Sequence, residues 1–327
     1  MNDTKNQIQR TSDRRSFLKK GAIAAGAVSA GATLLGAKLT TFAEDEPSGH
    51  LTPGDAAILR FLFVLESIES DLWRQYAELG GATDQPGASA IDLPFPTGLS
   101  QPYVSALQNL DGDMPQYIVD NTGDEISHAV FIVSYLNSKG VDTTALQKEL
   151  SQFQALPPSK VSGVPQVGRL TNLMQLTVDT SWYTRYRSDS KNPDFGDTFD
   201  QAVPSLFSGQ HTAIPRTDVD ASDPNLIQAI ANTAAFHFAF IEQGGSSLYP
   251  SLAQRVNHPE VLRILLRIGP TETSHFQTWL DKAGNAVQPN LAPLTVGDVT
   301  FPDLTATTNP DEFQPNPSFA DGGLEVS

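Results

Sequence analysis

The chain has 327 residues, no cysteine and a net charge of −16 at neutral pH. Thiolate metal sites, iron–sulfur clusters, disulfides and cysteine nucleophiles are therefore excluded. The acidity leaves no basic face to neutralise phosphates, so neither nucleic acid nor an anionic membrane is expected as a partner.

Residues 1–43 read as a targeting segment, to be set apart from the fold. Arg14-Arg15-Ser16-Phe17-Leu18-Lys19 resembles the twin-arginine export motif, with Asp13 where Ser or Thr is usual. A Gly/Ala run from Gly21 to Ala37 follows, then Thr41-Phe42-Ala43 as a small-residue cleavage site. The run is too short and too Gly-rich for a span of ~20 apolar residues. The expectation is export by the twin-arginine pathway to the periplasm or outside the cell, with no stable membrane insertion after processing. That route carries proteins already folded. With +5 of charge in the first 43 residues, the remainder carries −21.

The rest divides into residues 44–283, an all-α bundle with insertions at 80–112 and 141–222, and residues 284–327, an extended Pro-rich tail. A first long helix is predicted from about Pro53 to Leu79. Thr52 caps it, Pro53 suits its first position, and Gly80-Gly81 stops it. Its apolar stripe, Leu62, Leu65, Leu72, Trp73 and Tyr76, contains Glu66 and Glu69 instead of opposing them. A short helix is predicted near Pro102–Leu110. A second long helix spans about Met114–Lys139, with Glu125 in its stripe and His128 beside it. The crossover at 141–222 should hold helices at Thr143–Phe153 and Val167–Arg187. Trp182–Arg187 within it reads as an interface patch, and His211 as a loop residue.

A third long helix runs from about Pro224 to Val256, capped by Asp223. Gly244-Gly245 and Pro250 should weaken or kink it just past Glu242. The fourth spans about Pro259–Lys282, where Gly269-Pro270 should kink or break the ladder a turn before Glu272. In an ordinary helix such a proline costs about 3 kcal/mol. The tail is expected to dock on the body or on a neighbouring subunit, the latter making a homo-oligomer.

Two of the six histidines stand three residues after a glutamate, as Glu125–His128 and Glu272–His275. Each pair follows a helix that carries in its apolar stripe a glutamate with no histidine three residues on, Glu66 and then Glu242. Residues i and i+3 share a helix face, so each pair presents a carboxylate and an imidazole to one point. The order E, ExxH, E, ExxH is the ligand set with which four helices hold two metal ions in a bundle core. Four buried carboxylates repel one another unless cations neutralise them. Oxygen and nitrogen donors without sulfur suit two Fe or two Mn ions, with Zn admissible. Ions so paired sit about 3.5–4 Å apart, a spacing suited to a small oxidant, peroxide or O₂. Glu69 reads either as a carboxylate holding a ligand histidine or as a half-exposed residue. His237 reads as a core histidine, and Tyr76 and Tyr249 as core packing or as groups close to the metals.

This pattern resembles the ferritin-like superfamily, which includes rubrerythrins, bacterioferritins and manganese catalases. The run Leu65-Glu66…Glu69…Leu72-Trp73, the export signal and the long crossover are most similar to the exported ferritin-like, desiccation-related proteins. The likeness covers about residues 53–80, 114–140 and 223–283. It implies a ferritin-like four-helix bundle in which Glu125 and Glu272 bridge the ions. Glu66 and Glu242 would be terminal ligands, and His128 and His275 would each bind one ion. The interrupted fourth helix and the insertions depart from compact ferritins and argue against a storage cage. Two functions stay open. One is an oxidoreductase acting on peroxide or O₂, peroxidase-like, catalase-like or ferroxidase. The other is a non-catalytic stress protein, structural or metal-sequestering, with the same site.

Overall fold

A computed structural model describes residues 49–83, 93–188 and 191–306; the export motif and residues 307–327 lie outside the described residues. The chain is predominantly helical, and its only sheet among those residues is a two-stranded hairpin. In chain order the helices are α1 (Pro53–Gly80), α2 (Gln101–Gln108), α3 (Met114–Ser138), α4 (Thr144–Phe153), α5 (Ser181–Arg185), α6 (Pro204–Ser208), α7 (Pro224–Ala253) and α8 (Pro259–Ala283). The hairpin pairs β1 (Leu294–Val296) with β2 (Val299–Phe301), antiparallel, Leu294 opposite Phe301. No helix of the described residues is long and apolar enough to cross a membrane.

Four long helices, α1, α3, α7 and α8, frame the molecule. α1 packs along α3, and α7 along α8. Local chemistry sets their starts. The Thr52 hydroxyl accepts the Asp55 N–H at 3.0 Å, and Pro53 opens α1. The Asp223 carboxylate accepts the N–H groups of Asn225 and Leu226 ahead of α7.

The apolar interior is split in two. One cluster gathers Leu59, Leu62, Ile132, Leu136, Tyr249, Val261 and Leu265. The other gathers Trp73, Tyr76, Ile118, Phe238, Phe276 and Trp279. On each of the four helices the glutamate of interest lies between a residue of one cluster and a residue of the other. Glu66 falls between Leu62 and Trp73, Glu125 between Ile118 and Ile132, Glu242 between Phe238 and Tyr249, and Glu272 between Leu265 and Phe276. The site is thus a polar layer sealed above and below by packed apolar side chains.

Several expectations need correction. The crossover does not form a helix over 167–187; only Ser181–Arg185 is helical. Its first part is pinned to α1 by polar anchors. The Asp71 carboxylate accepts from Leu170 N, Thr171 N and Thr171 Oγ1 at 2.7–3.0 Å. Arg169, buried, pairs with buried Glu78. Trp182, Tyr183 and Arg187 are buried in the core and form no exposed interface patch.

Neither proline-containing long helix breaks. α7 runs through Gly244-Gly245 and Pro250, and α8 through Gly269-Pro270. Both prolines are exposed, so the carbonyls they leave unpaired face water. Gly245 and Gly269 admit side chains from the partner helix. A Cβ on Gly269 would lie 2.8 Å from Tyr249 Cβ.

Nor is the start of the tail simply extended. Residues 284–301 form a 3₁₀ turn and the β1–β2 hairpin. Phe301, fully buried, stacks near Phe236 of α7 at 6.4 Å.

Candidate metal centre

All six side chains singled out in the sequence meet in the polar layer. Two groups of four have donor atoms mutually within 4.8 Å, each group able to hold a metal ion. The first is Glu66, Glu125, His128 and Glu272; the second is Glu125, Glu242, Glu272 and His275. Glu125 and Glu272 belong to both. The four glutamates are at most 1% exposed, and His128 is 8% exposed.

The two imidazoles have centroids 6.5 Å apart and planes inclined by 30°. His128 Nδ1 lies 3.3 Å from Glu66 Oε2, 3.2 Å from Glu125 Oε2 and 3.1 Å from Glu272 Oε1. His275 Nδ1 lies 3.0 Å from Glu125 Oε1 and 3.3 Å from Glu242 Oε2. Despite these distances, Glu66 Oε2, Glu242 Oε2, both Glu272 oxygens and His275 Nδ1 make no hydrogen bond of acceptable geometry. The atoms are close but do not aim at one another. Buried polar groups are otherwise almost always paired. A set of orphaned oxygen and nitrogen donors around two adjacent points fits a pair of cations.

The atoms not aimed inward are held from outside. The Trp73 indole N–H donates to Glu242 Oε1 at 2.6 Å. Asn121 Nδ2 donates to Glu125 Oε1 at 2.9 Å and to Glu242 Oε1 at 3.1 Å, while its Oδ1 accepts from Trp279 Nε1 at 2.7 Å. The Tyr249 hydroxyl donates to Glu66 Oε1. His275 Nε2 lies 3.2 Å from Asp124 Oδ2, which directs Nδ1 at the cluster. A Cβ on Gly245 would lie 2.5 Å from Glu272 Oε2, so the glycine makes room for that carboxylate.

Electrostatics follow from packing four acids and two bases in a dry layer. Burial pushes Glu66 up to about 7, against the pull of His128. Burial, then repulsion from Glu125, raises Glu272 and Glu242. Glu125 goes the other way, to about 2: burial acts upward, but His128 and His275 flank it and outweigh it. Burial acts to deprotonate both imidazoles, yet the surrounding carboxylates hold both protonated well above the usual histidine range. Without metal, imidazolium charge and carboxyl protons together do what two cations would do.

Of the residues left open by sequence, Glu69 is half-buried, and burial followed by repulsion from Glu66, Glu272, Glu125 and Glu242 raises it well. The carboxylate on His275 is Asp124, not Glu69. Asp124 immediately precedes Glu125, but no spacing rule distinguishes it. His237 is a core histidine, bonded to Tyr76. His211 Nε2 sits on the Ser205 carbonyl at 2.6 Å, in the crossover. An open recess of ≈ 500 Å³ lined by Asn109, Asn285, Gln288 and Asn290 shares no residue with the cluster.

Comparison with protein-family models, with curated proteins and with solved structures finds no match to this chain.

Proposed function

We propose that this is an exported, ferritin-like protein carrying two Fe or two Mn ions, with redox chemistry on peroxide or O₂. The observation that carries the reading is the pair of four-residue ligand groups sharing Glu125 and Glu272. Two groups with two members in common suit two adjacent ions, which Glu125 and Glu272 would share. Glu66 and His128 would complete the set for one ion, and Glu242 and His275 the set for the other. The E, ExxH, E, ExxH order and the twin-arginine-like run at Arg14–Lys19 support the family and the export route.

The ions would supply two-electron exchange with a small oxidant. The chain's own part is to hold their ligands and exclude bulk water. Asp124 orients His275, and Trp73 and Asn121 fix Glu242. Tyr249 fixes Glu66. Glu125 and Glu272 carry the charge that keeps the pair together.

Closure favours a second, non-catalytic reading. Glu125, Glu242 and Glu272 are all 0% exposed, as in a structural site with no open position. A peroxide assay on Fe-loaded and Mn-loaded protein separates the two. Metal-dependent peroxide loss supports the redox reading. Full metal occupancy without turnover under either loading supports a structural or sequestering role.

A further inference from the structure

We propose that Tyr76 is a one-electron redox site that exchanges its proton with His237 and its electron with the metal cluster through Trp73. The three residues form a line. Trp73 touches the cluster through its indole N–H on Glu242 Oε1, 2.6 Å away. Its ring lies 5.7 Å from that of Tyr76, centre to centre. The Tyr76 hydroxyl lies 2.7 Å from His237 Nδ1. Trp73 and Tyr76 are 0% exposed, and His237 is 7% exposed. Phe238 closes the group, edge-on to Tyr76 at 4.6 Å and stacked on Trp73 at 4.9 Å.

Ordinary core packing does not require this partner. A buried phenol needs only an acceptor, and Tyr103 in the same cluster uses the Ala213 carbonyl at 2.7 Å. Tyr76 is instead matched with a titratable base. A carbonyl cannot take up a phenolic proton; an imidazole can. Burial pushes His237 down to about 3, so it is neutral and its ring can accept. An oxidised phenol is a far stronger acid than an imidazolium even at that value, so the transfer runs downhill.

The step balances. Oxidised Trp73 takes one electron from Tyr76, and the phenolic proton passes to His237 Nδ1. The products are neutral Trp73, a neutral tyrosyl radical and a His237 imidazolium. Peroxide needs two electrons and two protons to become two waters. Tyr76 supplies one of those electrons when the metals have only one to give. A one-electron reductant, by the reverse path, restores the phenol. That use rests on the proposed function; the Tyr76–His237 couple itself does not.

The test therefore uses metal-free full-length protein and a photogenerated external oxidant, tris(bipyridine)ruthenium(III). Electron paramagnetic resonance and transient absorption distinguish tyrosyl from tryptophanyl radicals. The wild type should give a long-lived tyrosyl signal whose formation slows in deuterated solvent. Tyr76→Phe should lose it. His237→Gln, which keeps an acceptor but no base, should lose it as well. Trp73→Phe, which keeps a ring in the stack, should delay it. Thermal unfolding of each variant, and metal content of Tyr76→Phe and His237→Gln, show that the fold and the cluster persist; Trp73→Phe, which removes the indole N–H from Glu242, is controlled by thermal unfolding alone. A long-lived signal undiminished in Tyr76→Phe, or unaltered in His237→Gln, overturns the proposal. Failure to load metal with the radical intact counts against the proposed function alone.

Discussion

Gly245 of α7 faces Glu272 of α8 so closely that an added Cβ would lie 2.5 Å from the Glu272 Oε2 atom. A methyl there improves helix propensity by about 1 kcal/mol. It also forces the carboxylate off its position. We therefore predict that Gly245→Ala lowers metal content while metal-free thermal stability stays level or rises. Elemental analysis and calorimetry on one preparation check both. Parallel loss of stability and metal would mean a simple packing defect instead.

Asp124 lies 3.2 Å from His275 Nε2 and is itself 47% exposed. Carboxylates that orient a metal-bound histidine typically contribute 10–100-fold in affinity. Asp124→Ala should weaken metal binding by about that range. Its exposure makes a large stability change unexpected. Competition with a chelator of known affinity measures the effect.

The stabilisation given by metal should grow as pH rises from about 4.5 to about 7. Glu66 is raised from 4.5 to about 7 in the metal-free fold, so its proton stabilises that fold at low pH and is lost as pH passes through 7. His128, also raised, acts with the same sign above the ordinary histidine value. His237, lowered to about 3, acts oppositely: its contribution is present above 6.5 and is lost as pH falls through 3. It belongs to neither ligand group, so its contribution is expected to be common to both forms and to cancel in the difference. Melting temperatures of loaded and metal-free protein across this range check the sign. A gap that narrows with rising pH contradicts it.

How much of this was legible in the chain depends on distance along it. Glu125–His128 and Glu272–His275 need only helical periodicity to share a face, and Glu66 and Glu242 need only an apolar stripe. Those six do converge. The residues that hold them were less visible. Trp73 meets Glu242 across 169 residues and Tyr249 meets Glu66 across 183, and no local spacing encodes either contact. Pro270 and Gly269 read as breakers because sequence does not say that one faces water and the other faces Tyr249. Residues 167–180 had helical periodicity, but Asp71 and Glu78 compete for their backbone and for Arg169.

That competition is testable. Arg169 is 1% exposed and paired with Glu78, which Arg74 also reaches at 2.9 Å. Removing one partner of a buried pair costs about 3 kcal/mol or more. Arg169→Ala should destabilise by about that amount and loosen the 156–171 segment, seen as faster amide exchange there. Metal content should hold, since neither residue belongs to the cluster.

The most direct measurement is the metal stoichiometry of natively exported protein beside its Glu66→Ala/Glu242→Ala double variant. Two Fe or Mn ions per chain in the first, and none in a still-helical second, are expected. A wild type without metal, or a double variant retaining two ions, would contradict a paired-cation centre at these six residues.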